Sequence, residues 1–234
     1  MTPRRRDGFT LVELMVVIGV IGILTSLLLP ALGLAKEKAK SIQCAGNLKQ
    51  RGMAFMMYAA DFDGNLPPYC YVGGASDYYT NLLANGQYLP VPVWDNKSWG
   101  IPKHSGVWGC PSGRGSFGYG VLTAISGGHW GFKPWTIAPY IPFSRIRRPA
   151  ALILAADSCN SGVESDFTGS YQPWDIGFWC PLDVGGSYIA SGNNHVSNRH
   201  SNGANITFAD GHVNWLGFRA IQSNADDLFG HYNL

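Results

Sequence analysis

The residues able to do chemistry fall into three groups. Glu13 is the single carboxylate in the apolar stretch LVELMVVIGVIGILTSLLLPALGLA. His200 is followed, after nine intervening residues, by Asp210-Gly211, with His195 and His212 close by. Cys44, Cys70, Cys110, Cys159 and Cys180 are scattered along the chain. A carboxylate inside lipid costs on the order of 2.5–3.5 kcal/mol on insertion scales, so Glu13 needs a reason to be there. A His and an Asp meeting at a hairpin could orient one another or hold a metal, yet no serine, cysteine or second carboxylate stands at a catalytic spacing from them. No two cysteines have the CxxC spacing of a zinc or redox motif, so local spacing predicts no structural metal site. In an exported domain up to two disulfides could form, and the spacing leaves every pairing open.

The elements that must position these residues begin with a membrane-length segment. Leu14 to Ala35 carry no charge over 22 residues, which at about 1.5 Å per residue matches a hydrocarbon core of roughly 30 Å. Arg4, Arg5 and Arg6 precede it, which predicts a cytoplasmic N-terminus and export of everything after about residue 40. A secretory signal peptide would have a shorter apolar region and a small-x-small cleavage site. This run is longer and passes into AKEKAKSIQCAGNLKQRGMAFMMYAADF, where Ile42, Ala45, Leu48, Gly52, Phe55 and Ala59 form one apolar stripe. Lys36, Lys38, Lys40, Lys49 and Arg51 fall off that stripe, and Asp63, Gly64, Pro67 and Pro68 end the pattern. One helix from Phe9 to about residue 60 is therefore expected, and Pro30 should kink or loosen it.

Charge excludes one class of partner. Residues 1–8 hold three arginines and one aspartate, leaving 14 basic and 14 acidic side chains in the rest. That balance lacks the basic footprint of a nucleic-acid binder, and the short RIRR at 145–148 reads as a solvated loop.

RRRDGFTLVELMVVIGVIGIL resembles the prepilin signature of type IV pilins and type II secretion pseudopilins. The resemblance rests on the basic leader ending in Gly8, then Phe9-Thr10-Leu11-Val12-Glu13, then the apolar run with Pro30. It implies cleavage between Gly8 and Phe9 by a membrane prepilin peptidase and N-methylation of Phe9. Glu13 then gains a partner. The charged amine of Phe9 on a neighbouring subunit would neutralise it when two charges, each costly alone in lipid, are brought together. The competing explanation is that Glu13 rests at the headgroup level.

A second resemblance lies further along. CAGNLKQRGMAFMMYAADFDGNLP (44–67), Cys110-Pro111, LAADS (154–158) and His200-x9-Asp210-Gly211 look like segments of a large group of bacterial prepilin-like proteins carrying an H-x9-DG segment. That resemblance names a family, sometimes described as processing-associated, without supplying a mechanism. For His200, Asp210 and Gly211 the favoured reading is structural, with a turn at Asp210-Gly211 and a hydrogen bond from His200 to the turn or a carbonyl. A metal site and catalysis are the alternatives. DFDGN (61–65) lacks the Gly and Glu positions of an EF-hand, though some related pseudopilins hold a loop with calcium, so weak calcium binding stays open. The aromatic clusters YCY, DYY, WGFKPW and PWDIGFW between residues 69 and 188 fill a core or, when exposed, stack on sugars or neighbouring subunits.

ALILAAD (151–157) reads as a buried strand, and ANITFADGHVNWLGF (204–218) as a hairpin. A two-residue type I′ turn at Asp210-Gly211 would pair Phe208 with Val213 and Ile206 with Trp215 on one face, and Thr207 with Asn214 on the other. The expected fold is α+β and pilin-like, one long N-terminal helix laid on an antiparallel sheet. The expected division is a leader at 1–8, a transmembrane and assembly segment at 9–40, and an exported domain at 41–234. The resemblance implies a structural subunit, not an enzyme and without a required cofactor, polymerised into a pilus-like filament or secretion pseudopilus. Its implied partners are copies of itself or related pilins, the prepilin peptidase, an assembly ATPase, an inner-membrane platform protein and the membrane. The implied location is the bacterial inner membrane as precursor, then a periplasmic pseudopilus or surface filament. The rival is a tethered, non-polymerising module that binds glycans or proteins.

Overall fold

A computed structural model describes residues 10–67, 79–96, 101–102, 106–113, 119–122, 142–159, 177–178 and 195–228. Gly8, Phe9, Cys70, Cys180, most of the aromatic clusters and the side chains of Cys159 and His195 lie outside the described residues. The chain forms two compact units, residues 1–39 and 40–234.

Helix α1 runs Leu11–Asp61, with Pro30 inside it and no interruption. Residues 10–39 are exposed throughout, including Leu11, Val16, Ile23, Leu28 and Leu34. Thr25 and Ser26 turn their hydroxyls back onto the carbonyls of Ile21 and Ile23, at 2.8 and 2.7 Å, a common way to satisfy a hydroxyl in an apolar helix.

From residue 40 onward α1 buries Cys44, Asn47, Leu48, Arg51, Gly52, Ala54, Phe55, Tyr58 and Ala59. Two expectations are corrected on this face. Ile42, placed on the apolar stripe, is 64% exposed, whereas Arg51, placed off it, is fully buried. The guanidinium lies 5.7, 5.5 and 5.0 Å from the ring centres of Tyr79, Trp108 and Tyr119, and Nη2 donates to the Tyr79 hydroxyl at 2.7 Å. Facing aromatic surfaces attract a cation electrostatically, so a basic residue can occupy an inward position. These three aromatics fill the core. The helix ends where Asp63 takes a left-handed φ of 52° and Gly64 donates to the Ala59 carbonyl at 2.7 Å, a Schellman-type cap. DFDGN therefore forms the helix stop, and Asp61 accepts a bond from the Tyr88 hydroxyl at 2.6 Å.

After α1 come α2 (Tyr79–Asn85), a small pair β1 (Trp94–Asn96) and β2 (Ile101–Pro102), and a 3₁₀ turn at Gly106–Trp108. The main sheet contains β3 (Tyr119–Leu122), β4 (Ile153–Cys159), β5 (Gly177–Phe178), β6 (His195–Val196), β7 (Gly203–Phe208) and β8 (Val213–Gly217). Its order is β5-β3-β4-β7-β8, with β6 also on β4. The pairings are antiparallel except β3 with β5. Short helices α3 (Phe218–Ser223) and α4 (Ala225–Leu228) close the described chain. The strand expected at 151–157 is β4, buried from Leu152 through Ser158.

The β7–β8 hairpin forms in a different register from the expected one. Thr207 pairs with Val213, Ile206 with Asn214 and Asn205 with Trp215, a shift of one residue. The loop has three residues, Ala209-Asp210-Gly211. Gly211 adopts φ 82° and donates to the Phe208 carbonyl at 2.8 Å, while the Phe208 amide donates to the His212 carbonyl at 2.9 Å. A three-residue loop ending in a left-handed glycine is the next most common hairpin after the two-residue form. The physical reason for the difference is that every residue of β7 is buried, so alternation could not choose the register. The type I′ turn exists one step earlier. Ser201 and Asn202 have φ of 53° and 59°, and His200 and Gly203 exchange both backbone bonds at 3.1 and 3.2 Å.

Candidate functional site

At the start of α1, Glu13 and Thr10 bond reciprocally. The Thr10 amide and hydroxyl both donate to Glu13 Oε2 at 2.8 Å, and the Glu13 amide donates to Thr10 Oγ1 at 3.2 Å. This is a capping box, and Thr10-Leu11-Val12-Glu13 has its T-x-x-E spacing, a signal legible in the sequence beside the charge argument. A carboxylate offers about four lone-pair directions, so two bonds on one oxygen leave Glu13 able to accept from an amine as well.

A second constellation lies in the unit of residues 40–234, built from four separate elements. Cys44 sits on the buried face of α1, Cys110 in the loop after the 3₁₀ turn, Asp157 on β4 and His200 at the type I′ turn before β7. Cys44, Cys110 and Asp157 are fully buried and His200 is 3% exposed. Cys44 Sγ lies 2.8 Å from Asp157 Oδ1, Cys110 Sγ 3.3 Å from His200 Nε2, and His200 Nε2 3.4 Å from Asp157 Oδ2. One donor atom from each of the four residues falls within 4.8 Å of every other. Both thiols are free.

Each member is held by its own surroundings. Asn47 Nδ2, one turn along α1 from Cys44, donates to the carbonyls of Gly106 and Gly109 at 2.9 and 3.1 Å and so pins the Cys110 loop. The Asn205 amide donates to Asp157 Oδ2 at 2.9 Å. Trp215 Nε1 donates to the His200 carbonyl at 2.8 Å and covers Gly203, where a Cβ would stand 2.4 Å from the Leu216 oxygen. Only glycine fits there.

The electrostatics follow from crowding these groups in one buried space. Burial pushes the Cys44 thiol far up, and its contacts with Cys110 and Asp157 add to that. The hydrogen bond from Cys44 brings Cys110 down to about 5, against burial and with help from His200 and Arg199. Burial opposes ionisation of Asp157, but the bond from His200 and the charge of Arg199 leave its carboxyl below the usual range. Burial also lowers His200, and its bonds to Asp157 and Cys110 overcome this and raise it to about 9.

A Cys–His–Asp set suggests a nucleophile with its base and orienter, but the geometry opposes that use. In such a triad the imidazole uses one nitrogen for the nucleophile and the other for the carboxylate. Here Cys110 and Asp157 both approach Nε2, and no member is open to a substrate.

Of the residues singled out from the sequence, His200 enters this cluster and Asp210 does not. Asp210 Oδ1 accepts from the His212 amide at 3.0 Å and lies 2.5 Å from His212 Nδ1. The His212 ring stacks on Phe208 with centres 4.2 Å apart. Gly211 gives its carbonyl to Lys49 Nζ on α1 at 2.7 Å. Spacing alone does not link Cys44, Cys110 and Asp157. The short segments that carry them, 44–67, 110–111 and 154–158, meet at this point.

A long N-terminal helix, apolar and exposed in its first stretch and packed on an antiparallel sheet in its second, is a pilin-like layout. Residues 3–29 match the prokaryotic N-terminal methylation motif. The chain is similar to type II secretion system core protein G of Aeromonas hydrophila, 44% identical over 61 residues, covering 26% of this chain and 43% of that protein. It is 38% identical over 61 residues to the protein of the same name from Pseudomonas aeruginosa, with the same coverage. The chain thus spans less than half the length of the curated relatives it matches. No solved structure matches it.

Proposed function

We propose that the chain is a pilin-like structural subunit, cleaved between Gly8 and Phe9, N-methylated on Phe9, and polymerised through its N-terminal helix into a pilus-like filament or secretion pseudopilus. The observation that carries this reading is residues 10–39, a stretch of α1 whose apolar side chains are all exposed and which overlaps the methylation motif. Exposed apolar surface of that extent needs lipid or other apolar helices to cover it. Glu13 adds selectivity. Capped in its own chain, it retains acceptor capacity for the amine that cleavage creates on a neighbour.

In this reading residues 1–8 are the leader, 9–40 the membrane and assembly segment, and 41–234 the exported domain. The partners are like subunits, a prepilin peptidase, an assembly ATPase and a platform protein in the inner membrane. Polymerisation needs no catalysis by the chain itself.

Intact-mass and N-terminal fragment analysis of the protein recovered from membranes tests the processing step. The expected N-terminus is N-methylated Phe9. Retained Met1, or a cut beyond Ala35, would rule the reading out.

A further inference from the structure

We propose that Cys44, Cys110, Asp157 and His200 form a closed, structural zinc site that ties the exported part of α1 to the sheet and to the Cys110 loop. The donor set is two sulfurs, an imidazole nitrogen and a carboxylate oxygen, all buried and converging on one small volume. Thiolate and imidazole ligands suit zinc, whereas calcium and magnesium take oxygen ligands. Four protein ligands with no open position mark a structural site, not a catalytic one.

Size supports the assignment. Zinc bonds of about 2.3 Å to sulfur and about 2.0–2.2 Å to nitrogen and oxygen give tetrahedral edges of roughly 3.3–3.8 Å. The Cys110–His200 and His200–Asp157 separations, 3.3 and 3.4 Å, already have that length. Cys44 Sγ meets the other carboxylate oxygen, Oδ1, at 2.8 Å, so with Oδ2 as the ligand a side-chain rotation brings that sulfur onto the ion, and one donor atom from each of the four residues already lies within 4.8 Å of every other.

The surroundings also fit. Metal-binding carboxylates are themselves hydrogen-bonded, as Asp157 is by the Asn205 amide. The two thiols lose their protons to solvent as the ion enters, and the cation then offsets charge that the cluster would otherwise bury. The rival occupant of this volume is a Cys44–Cys110 disulfide. That bond would account for the two sulfurs, but it gives no reason for Asp157 and His200 to aim at the same point.

Metal content of the full chain, purified in detergent without chelator, tests this by inductively coupled plasma mass spectrometry. The expected result is about one zinc per chain, falling at least tenfold in Cys44→Ser, Cys110→Ser and His200→Ala. His200→Cys, which keeps a ligand, and His212→Ala, which alters only the neighbouring turn, should retain it. Because the ligand variants could misfold, the wild-type chain is also exchanged with cobalt(II). Tetrahedral thiolate coordination then gives intense visible d–d bands and sulfur-to-cobalt charge transfer. Absence of stoichiometric metal even after zinc addition would overturn the proposal. So would a peptide map showing Cys44 disulfide-linked to Cys110, or a cobalt spectrum without thiolate bands.

Discussion

Helix α1 contains two stretches that treat the same kinds of residue in opposite ways. Over residues 10–39 it exposes leucine, isoleucine and valine without exception. Over residues 40–61 it buries an arginine, an asparagine and a cysteine while leaving Ile42 and Met57 outside. Hydropathy alone does not determine what is inside. The first stretch lacks a partner within the described chain, so its apolar atoms await lipid or other helices. The second stretch has aromatic rings, backbone carbonyls and a carboxylate to receive its polar atoms, and each buried polar group that finds such a partner avoids the desolvation penalty.

If polar connections hold the second stretch, removing one should hurt as much as removing a large apolar side chain. Asp157→Ala leaves His200 and Cys44 without their acceptor and should cost about 3–5 kcal/mol, the range for breaking a buried charge pair. Phe55→Ala should cost a similar amount, about 3–5 kcal/mol, through the cavity it leaves. Urea midpoints followed by tryptophan fluorescence would compare the two, and a near-neutral Asp157→Ala would break the parallel. Gly203→Ala places a Cβ against the Leu216 oxygen and the Trp215 ring and should cost about 3 kcal/mol, toward the upper end for overpacking. Lys49→Ala frees the Gly211 carbonyl and should cost only about 1 kcal/mol, the net value of one partly exposed hydrogen bond. Ile42→Ala should change the midpoint by less than about 0.5 kcal/mol, because Ile42 is exposed. A large loss there would restore the simple apolar stripe.

The contrast also explains how much was legible in the sequence. The long helix, its stop near Asp63-Gly64 and the strand at β4 follow from local pattern: a charge-free run, a 3.6-residue period, turn formers, and a short apolar run. The hairpin was legible as an element but not in register, because Asn205 and Thr207 are as buried as Ile206. Thr207 donates to the Leu48 carbonyl at 3.1 Å and Asn205 Nδ2 to the Ser41 carbonyl at 3.2 Å, which reverses the usual meaning of a polar position. Arg51 misled for the same reason, since its aromatic surroundings come from residues 28–68 positions away. The buried quartet was not legible from spacing. Its members lie on four elements, and only the closed fold brings Cys44 to Asp157 across 113 residues. Glu13 was conspicuous as a charge out of place, while its capping bond to Thr10 followed from a local spacing that the charge overshadowed.

In the proposed function the uncovered first stretch of α1 and Glu13 serve assembly. The most direct measurement is the fraction of processed subunit recovered in sheared filaments for wild type and Glu13→Gln, with cleavage at Gly8–Phe9 verified by mass in both. Equal processing is expected, with at least about a tenfold loss of the variant from the filament fraction, since a tenfold loss requires only about 1.4 kcal/mol of pairing energy. Equal incorporation of the processed variant would contradict it.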